Sequence, residues 1–318
     1  MQRKHRRALR WRGSDMGTHR PIALASAALG IGIAATALLG PLWLDVIRQH
    51  IAADIENQVV GADAVSLLVV APLALAGGWL WWHDHRLAPA VTFGPAAYAA
   101  YIEFQYIAGS EYERYPGNSE DFFPLFFAVL LLGIVVAVAS WSRLAVAALP
   151  SRRVVVAAAA VMIGAGGLLG LAWVKAIADV IGGTETSEYL DAPGLFWLVK
   201  TMDLALVIPA AITTGIGLLR HSPAASRAAS GVTAWLALMM ASVGAMGAVM
   251  WARDDPSASP AFVVVLVPAA VAMGLLAVAF WRARLGAASR PDLHHPRVLP
   301  PHPPAEHAAA LHERHQHG

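Results

Sequence analysis

Runs of roughly 20 predominantly apolar residues recur along this 318-residue chain, and no other feature constrains its fold as strongly. At about 1.5 Å of rise per residue, one such run crosses the roughly 30 Å hydrocarbon core of a bilayer as a helix. Hydrocarbon offers no partner to an unpaired peptide group, so the runs must be helices or strands of a closed barrel. They are rich in Ala, Leu and Val and lack the alternation of barrel strands, which selects helices. Composition agrees: 14% of residues are charged, against about a quarter in soluble domains. The expected fold is all-α, a polytopic helical membrane protein with about eight transmembrane helices. The runs fall at 21–43, 63–82, 89–109, 122–141, 154–174, 194–219, 232–251 and 261–281. Trp43, Trp81, Trp82, Trp141, Trp251 and Trp281 sit at run ends, where indole rings favour the headgroup zone.

Charge sets the expected orientation. The N-terminal segment, alternate connections and the C-terminal tail hold 18 of the 23 Lys and Arg residues. The intervening connections hold only Arg48, Arg114 and Arg253, whereas 14 of the 21 acidic residues lie on that side. The positive-inside rule therefore predicts both termini in the cytoplasm.

Three regions follow: a basic cytoplasmic segment (1–20), a transmembrane domain (21–281) and a disordered His/Pro-rich cytoplasmic tail (282–318). The basic segment reads as a topology signal rather than an anionic-lipid anchor. Met16 is an alternative start, and the first apolar run is longer than a signal-peptide core. Seven of the 13 histidines lie in the tail, but their spacing is irregular and broken by prolines, so no metal site is assigned there. The absence of cysteine excludes disulfides and thiolate chemistry.

Charges inside the runs are the leading functional candidates, because each costs roughly 2.5–3.5 kcal/mol on insertion scales. Glu103, Lys175, Lys200 and Asp203 qualify, and the expected topology puts all four in the outer half of the bilayer. Lys175 is expected to pair with Asp179 four residues on, or to reach the headgroups. Lys200 and Asp203 are three apart and suit either a local pair or a site. Glu103 lies among Tyr98, Tyr101, Gln105 and Tyr106 without an adjacent cation.

The most polar stretch follows at 103–124. There Pro116, Gly117 and Asn118 read as a turn, with Asn118 or Ser119 capping the next helix. Glu111, Tyr112, Glu113 and Tyr115 form either a rim that binds a cation or headgroup, or an interfacial aromatic belt. Pro72 and Pro209 predict kinks, and Gly166 with Gly170 predicts close helix approach. Residues 45–63 carry apolar side chains every four residues, as in a surface helix or an early extension of the second span. His83-Asp84-His85-Arg86 reads as a solvated loop rather than a metal site.

Other signatures are absent. No run carries an inward-facing histidine pair or regularly spaced arginines, which argues against bis-histidine haem and voltage sensing. No phosphate loop, H-E-x-x-H or G-x-S-x-G motif occurs. No catalytic residue, cofactor or nucleic-acid partner is assigned. The pattern Y-x-x-Y-x-x-x-Q-Y-x-x-G over 98–109, running into N-x-E-x-F-F-P at 118–124, resembles uncharacterised bacterial multi-pass membrane proteins. Lys200-x-x-Asp203 followed by Pro209 resembles the same group. The resemblance implies a multi-pass protein of a bacterial inner membrane and brings no activity with it.

The favoured reading is a module that binds or moves a small polar solute or cation from outside. Glu103, Gln105, Lys200 and Asp203 would line its site, with Tyr101, Tyr106, Tyr115 and Glu111 around it. The alternative is a membrane scaffold whose polar residues only fix helix register and contacts. A third is an intramembrane enzyme on a lipid-linked substrate, with Glu103 or Asp203 as base.

Overall fold

The computed structural model describes residues 2–286, with side chains from position 19 onward except at 262. Among these residues every regular element is a helix. In chain order the helices are α1 (Gln2–Leu39), α2 (Ala53–Val65), α3 (Ala71–Trp82), α4 (Ala88–Ala108), α5 (Phe123–Arg143) and α6 (Arg152–Ile181). They continue with α7 (Ser187–Asp191), α8 (Pro193–Met202), α9 (Ile208–Leu219), α10 (Pro223–Ala252) and α11 (Pro260–Gly286). The histidine-rich stretch of the tail lies outside the described residues. Among the described residues seven helical stretches are long and apolar enough to cross a membrane, so the protein is an all-α polytopic membrane protein.

Two spans are compound. A π-helical turn at Ser66–Val70 joins α2 to α3, and another at Asp203–Val207 joins α8 to α9. Each ends two residues before a proline, Pro72 or Pro209. Proline has no N–H, and its ring collides with the carbonyl four residues back. Widening the preceding turn relieves that collision, so both expected kinks take this form.

The connections gather at two ends of the bundle. At one end His19 meets Asp84 at 2.5 Å, Arg227 donates to the Trp141 carbonyl, and Arg284 reaches the Ala145 carbonyl. At the other, residues 40–52, 109–122, 182–192 and 253–259 are tied together. There the Glu111 amide donates to the His50 carbonyl, Tyr115 to the Asp191 carbonyl, and Asn57 to Asp255. Helix α4 leads from the first end to the second and is about 31 Å long. It does not meet the apolar standard of the other seven because it carries three tyrosines, Gln105 and Glu103. Its neighbours solve that problem. Fourteen of its 21 residues are buried against α3, α5, α8 and α10. The lipid-facing role falls instead to α5 and α11, whose apolar windows are each only 22% buried.

Several boundaries differ from expectation. The second span starts at Ala53 rather than 63, which puts Asp63 ten residues inside it. Residues 53–62 thus form the early extension of that span, not a separate surface helix. The sixth helix runs on to Ile181, and α10 begins at Pro223, nine residues early. Polar residues at both places had masked the helix because each could face water or a carbonyl. Asn118 does not cap the next helix: its Oδ1 accepts from the Arg48 amide and its Nδ2 donates to the Val46 carbonyl. It staples two loops together.

Candidate functional site

The polar interior is organised around α4. Tyr101 and Glu103 are two residues apart, about 200° around the helix, so they address different neighbours. The residues expected to share one site therefore divide between two clusters.

The first cluster faces α1, α2 and α10. Glu103 is 2% exposed; Thr36 of α1 donates to its Oε1 at 3.2 Å, and its Oε2 has no partner. Asp63 is itself buried and stands against Gly40, one turn beyond Thr36. Tyr106 donates to Asp63 Oδ1 at 2.8 Å. A Cβ at position 40 would stand 2.9 Å from Asp63 Oδ2, so Gly40 makes room for this carboxylate at the end of α1. One turn deeper, the Tyr98 hydroxyl donates to Ser242 at 2.9 Å and lies 3.3 Å from Ser66. Among the described residues, no cationic side chain pairs with either carboxylate.

The second cluster faces α6 and α8. Asp203 sits on the π turn, where Tyr101 donates to its Oδ1 at 2.6 Å and Trp173 Nε1 to its Oδ2 at 2.8 Å. Lys200, one turn earlier, has a wholly buried side chain. Its Nζ lies 4.2 Å from the Trp173 ring centre and 4.0 Å from that of Phe196. It does not pair with Asp203; its carboxylate partner is Glu188 of α7. Gln105 is half-buried one turn beyond Tyr101. Lys175 is exposed and pairs with Asp179 at 2.5 Å, as a local surface pair.

The expected rim residues tie the loops together. Glu111 Oε1 accepts the Gly194 amide at 2.7 Å in the first turn of α8, and Tyr115 reaches the Asp191 carbonyl. Behind them His50 is almost enclosed, with Nδ1 at 2.7 Å from the Tyr115 carbonyl and Nε2 at 2.6 Å from Glu120 Oε2. Both partners are acceptors, so the imidazolium is the form that satisfies both contacts. Burial lowers the His50 pKa, but the Glu120 hydrogen bond, the Tyr115 carbonyl and the Glu120 charge together raise it above the usual 6.5.

Asp63, Trp173, Glu188 and His50 went unseen in the sequence. Asp63 stood at an expected span edge, and Trp173 is an uncharged aromatic residue within an apolar run. Glu188 and His50 are ordinary loop residues by composition. Two open depressions at this end have volumes of about 230 and 410 Å³, and neither is lined by Glu103, Asp203 or Lys200. The buried clusters are thus closed off from both depressions. Among the described residues no three His, Asp or Glu side chains gather as a metal site. No protein-family model matches the chain, and no curated protein or solved structure does either.

Proposed function

We propose that this protein binds a small polar solute and moves it across a bacterial inner membrane. The solute enters from the end bearing residues 40–52, 109–122, 182–192 and 253–259. In this reading the chain crosses eight times, α4 included, with both termini in the cytoplasm. The charge bias supports that orientation, since the arginines gather at the opposite end. One observation carries the functional reading: Glu103 is a buried carboxylate with an oxygen left unpartnered, beside a second buried carboxylate. Such a group is expensive to hold in a membrane interior and marks an ion or proton path.

The work divides between the faces of α4. Glu103 and Asp63 exchange a proton or a small cation, while Tyr101, Gln105, Asp203 and Lys200 face the solute. Helix α4 couples the two, because solute binding that shifts Tyr101 also moves Glu103 two residues away. The solute acts by charge complementarity in a site of low dielectric.

A scaffold role is favoured by a different observation: Asp203, Lys200 and Asp63 already have partners within the fold. A thermal-shift screen of the purified protein against ions and small polar metabolites separates the readings, with Glu103→Gln run in parallel. A solute that raises the melting temperature of wild type but not of Glu103→Gln is the expected result. Equal melting with no response in either protein would move the assignment to the scaffold.

A further inference from the structure

Resting on the solute-binding reading, the second cluster points to what the solute is. A buried ammonium needs a counter-charge, because its hydration has been stripped away. The nearest intramembrane candidate, Asp203, is held elsewhere by Tyr101 and Trp173. The counter-charge comes instead from outside the bundle. Glu188 belongs to α7, a five-residue helix in the surface connection, and its side chain is 53% exposed while that of Lys200 is 0%. The segment is fastened by few contacts: Tyr189 meets the Phe196 and Trp197 rings edge-on, and Tyr115 holds the Asp191 carbonyl.

We infer that Lys200 anchors a site for a small carboxylate-bearing solute, and that Glu188 fills this site until the solute displaces it. A structural pair needs no partner drawn from a water-exposed strap. A site that must close when empty does, because the strap then shields the buried cation. The ammonium is a point charge with three donors and tolerates varied carboxylate approaches. The Trp173 and Phe196 rings favour a solute with a small apolar or flat body beside its carboxylate. When the solute arrives, Glu188 swings to water and residues 182–192 lift with it.

The chain has no cysteine, which makes the test direct. Ala192→Cys, at a position 1% exposed while the strap is closed, is introduced into the full-length protein, and its labelling by a polar maleimide is followed in acetate or benzoate against equal chloride. In parallel, Glu188→Ala is melted in the same salts, with Glu188→Gln as the milder variant should the first not fold. The expected results are faster labelling in carboxylate, and a lowered Glu188→Ala or Glu188→Gln melting temperature that carboxylate raises. Both effects disappear when Lys200→Met is added. Labelling and melting that ignore carboxylate, or respond equally without Lys200, would overturn the inference. A Glu103-dependent response to some other solute in that case would leave the general transport reading standing; no response to any solute would remove both.

Discussion

The two flanks of α4 solve the same problem, a carboxylate in an apolar bundle, in different ways. On the α2–α10 flank the helices are clamped together. A Cβ at Gly61 would lie 2.5 Å from the Met246 backbone, and one at Gly94 would press on Ala234 and the Trp235 backbone. Among the described residues no lysine or arginine pairs with Glu103 or Asp63 there, and an oxygen of Glu103 is left over. On the α6–α8 flank the helices stand nearer the lipid. The apolar window of α6 is 28% buried, against 61% for α10. Here Asp203 has both oxygens engaged, and a surface strap supplies the charge that Lys200 needs. Tight packing leaves no room to correct an imbalance of charge, whereas the rim of the bundle admits a segment that can.

That contrast is sharpened first by Asp203→Ala. It leaves the Tyr101 hydroxyl and the Trp173 indole without an acceptor, at about 1–3 kcal/mol for each buried donor. Denaturant unfolding in detergent is expected to show a loss of about 3 kcal/mol or more, with Asp203→Asn losing roughly half as much. A change below 1 kcal/mol would mean that water reaches this flank. Next comes Gly61→Ala, which forces α2 off α10 and is expected to lower stability by about 1–3 kcal/mol. Gly167→Ala meets nothing within 4 Å and is expected to be neutral or to gain up to about 1 kcal/mol from helix propensity. Melting temperatures that fall equally for both would erase the difference in packing.

The smallest effect is one of pH. Because the folded pKa of His50 lies above 6.5, its contribution to stability is complete below about pH 6.5 and is lost as pH rises through the raised value. Hydrogen-exchange protection of the Glu111 amide, which donates to the His50 carbonyl, should fall over that range. Protection that is flat with pH, or the same fall in His50→Gln, would mean that protonation of His50 does not hold these loops together.

Much of this fold was legible because apolar length is a direct physical demand of the bilayer, and it located most of the helices. Glu103, Lys200 and Asp203 were legible for the same reason, as charges interrupting such runs. Their partners were not. Asp63 follows a polar connection, so the span seemed to begin at it rather than ten residues earlier. Glu188 carries no signal, since an acid in a loop is ordinary until the fold sets it over a buried lysine. The kinks at Pro72 and Pro209 were readable, but the π turns that absorb them depend on how the neighbouring helices pack. The division of one expected site into two follows from the pitch of α4, and it became visible only when α1 and α8 were seen on different sides of it.

Without solute, α4 keeps apart two polar clusters that share no side-chain hydrogen bond, and a pair of double-mutant cycles measures that separation. Stability is measured for Glu103→Gln with Asp203→Asn, and for Glu103→Gln with Asp63→Asn. The first pair is expected to add within about 0.5 kcal/mol and the second to depart from additivity by more than this. Strong coupling between Glu103 and Asp203, with Glu103 and Asp63 additive, would contradict it and restore a single site.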